Sequence, residues 1–355
     1  MEKTAIYWSN PNETARKLMK KTVLISILAA LLLSLPGCGA RAEEAPRLTV
    51  VCTTYPIYLL ASALSEGVEG VAVERLDTGS VSCLHNYTLS MADMKKIERA
   101  DVIAINGAGL EEFLEDALQT SDARVIDCSE GIELLESLSH RHEEGEADEH
   151  GHDHGHWDPH YWMDPNRALH MANNLVIGLV QADLEHSEEY GTGWSGIVEV
   201  LCRCSGQGKQ ALRELAPEIP GLITFHDGFQ YFAEAFGLPL LAAIEEEAGS
   251  EASAKEIVEI TRLVKEYGIP VIFTEVNGSD ATAQAIARET GCQVVQLNML
   301  MDGPEVDLET YYTGITGNLA AILNGFAGEE VISFDAEDQA WKANLGVRCD
   351  LLPEA

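Results

Sequence analysis

Arg47-Leu-Thr-Val-Val-Cys-Thr-Thr54 runs directly into Tyr55-Pro56 and an apolar helical pattern from Ile57 to Leu64. The first part is short, apolar and β-branched and ends in polar residues. That is how a strand of a parallel sheet reads when helices cover both of its faces. The same grammar returns at Asp101-Val-Ile-Ala-Ile-Asn106, which leads through Gly107-Ala-Gly into a helical segment, Leu110 to Leu118. Arg124-Val-Ile-Asp127 is a third short strand. In the second half, Gly221-Leu-Ile-Thr-Phe225, Pro270-Val-Ile-Phe-Thr274 and Gln293-Val-Val-Gln-Leu297 repeat the pattern, each separated from the next by a helical stretch. The reading is α/β: two lobes, each with a central, mostly parallel sheet, joined by a single long α-helix.

The joining helix starts clearly. Asp164 is placed to cap it and Pro165 to occupy its first position. Ala168, Met171, Leu175, Ile177, Leu179 and Leu184 then form an apolar face about 20 residues long. From Gly191 to Gly208 the pattern fails, because five glycines there cost about 4–5 kcal/mol against alanine in a helix. Helical grammar resumes at Lys209 to Leu215. Flanks that read as one helix around a text that matches neither suggest a compensated reading-frame slip, and Cys202-x-Cys204 inside it is a weak metal motif. The expected organisation is an over-long start (1–18), a signal peptide (19–38) and a linker (39–47). An N-terminal lobe follows (48–164), then the connecting helix (165–215, anomalous at 191–208) and a C-terminal lobe (216–355).

Met19-Lys20-Lys21 precedes an apolar run from Val23 to Leu35 and then Pro36-Gly37-Cys38. A basic start, a short apolar core and a small residue before cysteine make a secretory signal, and the run is short for a membrane span. Leu35-Pro36-Gly37-Cys38 resembles a bacterial lipobox, with Cys38 as the lipidated first residue. Roughly 315 residues then remain, enough for two domains. Asp and Glu outnumber Lys and Arg 58 to 23, and the net charge of −35 repels nucleic acid while concentrating cations. The cysteines other than Cys38 contain no Cys-x-x-Cys pair and leave an odd number, which argues against a complete disulfide framework. Cys292 and Cys349 are one conceivable pair.

Seven of the eleven histidines lie between His140 and His160. His140, His142, His150, His152, His154 and His156 belong to an acidic, low-complexity tract that cannot pack a core, which leaves their imidazoles available to metal. His160 belongs to the rigid, aromatic Trp157-Asp-Pro-His-Tyr-Trp-Met-Asp-Pro165. His85 precedes a helical run that Ser90 can cap, and His226 follows the strand Leu222 to Phe225. Parallel sheets place ligands near such strand ends and helix starts. Asp158 and Asp227 are neighbouring acceptors able to orient an imidazole.

These residues carry a specific resemblance. Thr53-Thr-Tyr-Pro56, His85-Asn-Tyr-Thr, Ala100-Asp-Val-Ile-Ala-Ile-Asn-Gly-Ala-Gly-Leu-Glu111, the His-rich loop, Trp157 to Pro165, Thr224-Phe-His226-Asp-Gly-Phe-Gln-Tyr231 and Glu289-Thr-Gly291 together resemble the zinc/manganese solute-binding lipoproteins of bacterial ABC importers. The resemblance covers nearly all of the mature chain. It implies one metal bound between the lobes by His85, His160 and His226. Relatives commonly carry an aspartate in the loop after the strand ending at Leu297, where this chain has Asn298. The fourth position is therefore Asn298, Glu275, Asp302 or water. Three imidazoles without an assured carboxylate suit Zn²⁺, with Mn²⁺ as the alternative.

The resemblance further implies a monomeric receptor that is exported and held by its lipid on the outer face of the cytoplasmic membrane, or is periplasmic, and that hands its divalent ion to an importer permease. The His-rich loop would raise the metal concentration at the cleft mouth. A zinc-dependent hydrolase is the competing class, but the chain has no His-Glu-x-x-His helix and no evident general base. Some members of the family are described as adhesins.

Overall fold

The computed structural model describes residues 45–78, 87–138, 156–215, 217–243, 253–276, 278–303 and 306–334. Cys38, His85, His140, His142, His150, His152 and His154 lie outside them, while His156, His160 and His226 lie within.

In the first lobe β1 (Leu48–Cys52), α1 (Tyr55–Leu64), β2 (Val71–Arg75), α2 (Met91–Arg99), β3 (Val102–Ile105), α3 (Glu115–Thr120) and β4 (Arg124–Asp127) follow one another. Their strands form a wholly parallel sheet in the order β2-β1-β3-β4, with Val50 paired to Val73 on one side and Val102 on the other. The second lobe repeats the scheme with β5 (Leu222–Thr224), α6 (Gln230–Phe236), β6 (Leu240–Ala243), α7 (Ala254–Tyr267), β7 (Val271–Glu275), α8 (Ala281–Thr290) and β8 (Gln293–Leu297), in the order β6-β5-β7-β8. Helix α9 (Glu309–Ala327) follows β8.

Strand period two explains why both sheets read as apolar runs. Val50 and Cys52 face a core shared by the two lobes, whereas Val51 packs with Ile103, Ile97 and Leu114 under the outer helices. In the second lobe Val271 and Phe273 face the shared core, while Ile272 packs with Ile223, Ile260 and Ile286. Each sheet is thus buried on both faces.

The connection departs from the expected uninterrupted helix. Helix α4 runs from Pro165 to Ala182, with the Asp164 side chain accepting from Asn166 N–H as its cap. Asp183 then leaves helical geometry (φ −144°, ψ 71°), and α5 runs from Ser187 to Leu215. The break is built around the buried Asp183 carboxylate, which accepts from Arg47 Nη1 and Nη2 (2.8 and 2.7 Å) and from Tyr190 OH (3.1 Å), with His186 Nδ1 at 3.1 Å. The Arg47 guanidinium holds that carboxyl down at about 2.

Helix α5 also overturns the expected loss of helix over 191–208. It packs against α1 in the first lobe and against α6 and α9 in the second, so it is the long element that joins them. Two of its glycines explain how. A Cβ on Gly193 would stand 2.6 Å from Ala63 O and 2.7 Å from Leu64 Cα, and one on Gly208 would stand 2.4 Å from Phe236 Cε1 and 3.1 Å from Leu319 Cδ2. One glycine therefore lets the helix approach each lobe closely, and that packing offsets its low helix propensity. Such a fit gives no support to a frame slip. Gly191, Gly196 and Gly206 face open space. Cys202 is disulfide-bonded, whereas Cys52, Cys128, Cys204 and Cys292 are free and buried, which removes Cys292 from the conceivable pairing with Cys349.

Candidate metal centre

An identical strand order places a reversal of direction at the same point in each lobe, between β1 and β3 and between β5 and β7. The crevice beyond the carboxyl ends of those strands is where open α/β sheets bind ligands. His226 follows β5, and Glu275 is the last residue of β7. Thr53 follows β1, and Asn106 follows β3.

On the first-lobe side, a buried carboxylate knots the strand ends together. Glu111 accepts from Thr53 Oγ1 (2.5 Å), Asn106 N–H (2.6 Å) and Gly107 N–H (3.0 Å). Burial pushes its pKa up to about 7 even though these three donors favour the charged form. Asn106 in turn donates from Nδ2 to Pro159 O (3.0 Å), and Tyr161 OH donates to Asn106 O (2.6 Å). His160 is therefore carried on a segment bolted to the ends of the first sheet from both sides.

His160 is 3% exposed and His226 1%. Their Nε2 atoms face each other at 3.2 Å, although the residues come from opposite lobes. His160 Nδ1–H donates to Asp158 Oδ1 (2.8 Å), which fixes the tautomer and turns the Nε2 lone pair toward His226. Asp158 is itself tied down. It accepts from His160 N–H and Gln230 Nε2, and its backbone carbonyl accepts from Tyr231 OH. His226 Nδ1 lies 2.8 Å from Glu275 Oε1. The approach is off the line of a formed hydrogen bond and is held by charge.

Asp227 was the acceptor expected beside His226, but Glu275 takes that place. Asp227 instead accepts from Ser137 Oγ (3.0 Å) and Leu138 N–H (2.8 Å). It thereby ties the site to the segment that leads into the His-rich tract. The tract's far end returns alongside, with Ser137 N–H donating to His156 O and Asp158 N–H to Leu135 O. His156 stands at this root, its Nε2 3.5 Å from Glu136 Oε1.

The electrostatics split the imidazole pair. Burial lowers the His160 pKa to about 3, with the neighbouring His226 adding to the drop. Burial also pulls His226 down, but Glu275, Asp158 and Asp227 outweigh it and the net shift is upward. Of the two rings, His226 is thus the one that takes up a proton at the higher pH.

Candidates for a fourth donor are otherwise engaged. Asn298 Oδ1 accepts from Leu300 N–H (2.8 Å), and the Asn298 backbone is clamped at both ends by the Asn318 amide. Asp302 accepts from Arg75 Nη2 and from Gly303 N–H. Glu275 serves His226 from its outer side. Among the described residues no group of three or more His, Cys, Asp or Glu side chains forms a complete metal cage.

Fit to an ion can still be tested on the two rings. Two nitrogens at about 2.05 Å from a tetrahedral zinc ion stand about 3.3 Å apart, close to the observed 3.2 Å. Both rings also carry a carboxylate on Nδ1, the arrangement that orients metal-bound imidazoles. Sequence reasoning missed Glu275 as the His226 partner, because β7 and the loop after β5 become neighbours only through parallel pairing (Thr224 to Phe273).

Two parallel α/β lobes, with a buried imidazole pair reaching across the crevice between their strand ends, define a two-lobed protein with a candidate ligand site in that crevice. Residues 50–325 match the family described as zinc-uptake complex component A periplasmic (ZnuA), and the chain belongs to that family. Similar curated proteins include the zinc-binding protein AdcA of Streptococcus pyogenes serotype M3, 27% identical over 310 residues covering 81% of this chain and 58% of that protein. The chain thus spans a little over half the length of the AdcA relatives it matches. The manganese ABC transporter substrate-binding lipoprotein PsaA of Streptococcus anginosus is 23% identical over 328 residues, covering 87% of this chain and 100% of that protein. Among solved structures, a Zn(II)-bound variant of AdcAII from Streptococcus pneumoniae shares the fold at a TM-score of 0.66 and 25% identity, covering 78% of this chain and 99% of that one. The laminin-binding protein Lmb of Streptococcus agalactiae does so at 0.66 and 24%, with the same coverage.

Proposed function

We propose that this chain is an exported zinc receptor that holds one Zn²⁺ between its lobes through His85, His160 and His226, with water in the fourth position, and delivers it to the permease of an ABC-type importer. The observation that carries the reading is the buried Nε2-to-Nε2 distance of 3.2 Å between rings from opposite lobes. A lone buried histidine needs one acceptor, whereas these two turn their second nitrogens toward a common point. Water takes the fourth place rather than Asn298, because the Asn298 amide oxygen is already engaged. Zinc accepts four ligands of this kind, whereas manganese favours more, and harder, oxygen donors. Mn²⁺ remains the second reading, motivated by the similarity to PsaA over 87% of the chain.

Cys38 is the proposed lipid anchor that holds the receptor on the outer face of the cytoplasmic membrane. His140, His142, His150, His152, His154 and His156 form an accessory tract that captures metal near the mouth. The role is binding rather than catalysis, since Asp158 and Glu275 spend their charge on the imidazoles and neither is placed as a general base. The test is metal analysis and competition calorimetry on the wild type and on His85→Ala, His160→Ala and His226→Ala. One ion per chain and losses of at least a hundredfold in each variant are expected; wild-type affinity in the His160 or His226 variant would end the proposal. Removing residues 140–156 should slow capture at scarce metal with cleft affinity nearly unchanged.

A further inference from the structure

We propose that Arg75 and Asp302 form a clasp that holds one edge of the crevice closed and sets how fast a bound ion leaves it. The effect on the ion rests on the reading that zinc is held between the lobes, whereas the clasp stands on contacts that involve no metal. Arg75 is the last residue of β2, an edge strand of the first sheet, and Asp302 lies in the loop after β8, an edge strand of the second. Arg75 Nη2 donates to Asp302 Oδ1 at 2.9 Å. The pair therefore joins the two lobes directly, at the carboxyl ends of their strands.

Both partners are held in place. The Arg75 backbone carbonyl accepts from Lys96 Nζ of α2 (2.6 Å), and Leu76 N–H donates to Cys52 O (3.0 Å). The guanidinium carbon stands 5.0 Å from the centroid of the Tyr55 ring, whose face attracts a cation. Across the crevice, Gly303 N–H donates to Asp302 Oδ1 (2.8 Å), and the Asn318 amide of α9 clamps the root of the loop at Asn298. A Cβ on Gly303 would stand 2.2 Å from Tyr55 Oη, so the second-lobe backbone passes directly against the first lobe here. Glycine permits that approach, and with it the meeting of carboxylate and guanidinium.

The opposite edge of the crevice is secured differently. Beyond β4, Leu135 N–H donates to Tyr231 OH (2.9 Å) and Leu138 N–H to Asp227 Oδ2 (2.8 Å), which ties first-lobe backbone to the second lobe. At the β2 edge the link is between two charged side chains, 20% and 33% exposed, which water can reach and separate. That edge is where the crevice opens. Arg75 Nη1 is buried and makes no hydrogen bond, so the closed state depends on Asp302 to compensate the guanidinium. Removing the carboxylate leaves that charge half-buried and unpaired in the closed state, and so favours opening.

The experiment follows zinc leaving the loaded full chain, by stopped-flow transfer to excess chromogenic chelator, in wild type, Arg75→Gln, Asp302→Asn and the double variant. Capture rates are measured separately. Each single variant should release zinc about three- to thirtyfold faster with capture changed less than about threefold, and the double should be no faster than the faster single. Either single variant decides if the other does not fold. Hydrogen exchange on the metal-free chain should be faster over residues 298–303 in Arg75→Gln, with α4 unchanged. Wild-type release in the single variants overturns the clasp. Weaker zinc binding in Asp302→Asn combined with tighter binding in Arg75→Gln also overturns it, since Asp302 is then a ligand that Arg75 withholds. Wild-type zinc affinity in His160→Ala and His226→Ala ends the zinc reading instead; the metal-free exchange then judges the clasp, and unchanged exchange in Arg75→Gln overturns it.

Discussion

Gly228→Ala puts the convergence of the two rings to a direct test. The added Cβ would meet His226 Cδ2 at 2.8 Å and His160 Cγ at 3.2 Å, against about 3.5–4.0 Å for relaxed carbon contacts. The Met299 methyl, at 2.3 Å, is the end of a flexible chain and can swing aside. The rings cannot swing to another rotamer, because Asp158 and Glu275 hold their far sides, so only a small displacement is open to them. A retreat of His226 by roughly 0.7 Å along the line between the rings would carry the Nε2 separation from near contact to about 3.9 Å. An ion bonded at about 2.05 Å to both nitrogens would then subtend about 145° instead of about 109°. Loss of that geometry should weaken zinc binding ten- to a hundredfold, or about 1.4–2.7 kcal/mol. Competition calorimetry reads the affinity, and thermal unfolding with and without zinc should show a smaller metal-induced gain than wild type. If the alanine variant folds and binds zinc with wild-type affinity, the rings do not share an ion and the geometric reasoning fails.

Zinc binding should release protons at a higher pH than an ordinary imidazole ligand would, because Glu275 outweighs burial and raises the His226 pKa. Zinc affinity should therefore fall as pH drops through the range where His226 takes up its proton, with no added contribution from His160, whose pKa is near 3; calorimetry in buffers of different ionisation enthalpy counts the protons released. Glu275→Gln removes a charge that holds the His226 pKa up, so it should flatten this pH dependence as well as lower affinity about ten- to a hundredfold; an unaltered pH profile would show that Glu275 does not control the ring. Gly193→Ala should destabilise the fold by about 1–3 kcal/mol in urea unfolding, since its Cβ meets immovable backbone. Gly196→Ala, facing open space on the same helix, should stabilise by about 0.5–1 kcal/mol. Arg47→Ala should lower the denaturant midpoint at neutral pH. The Asp183 carboxyl is depressed to about 2, so its stabilisation is present above its ordinary value near 4 and is lost as pH falls through 2; the difference between variant and wild type should vanish there.

Much of this protein was legible residue by residue. The apolar runs of β1, β3, β5 and β7 marked those strands, because strands buried on both faces leave no polar alternation to confuse the reading. Ser90 and Asp164 marked helix starts because capping is a local hydrogen bond. The half-buried edge strands Val71–Arg75 and Leu240–Ala243 escaped, since each pairs on one side only, the first ends in charged residues and the leucines and alanines of the second suit a helix as well as a strand. The glycines of α5 misled for a related reason. Propensity is a property of the isolated helix, whereas Gly193 and Gly208 are set by the neighbours they approach.

The candidate centre divides along the same line. Residue types and the polar company they keep were enough to single out His160 and His226 and to couple Asp158 to His160, two positions away. Only the folded chain decides that Glu275 serves His226, that Asn298 is spent on its own loop, and that Met299 lies beside both rings. Those pairings join atoms far apart along the backbone. They exist because parallel strands and two repeated lobes bring their carboxyl ends to a common crevice, a juxtaposition that no local pattern encodes.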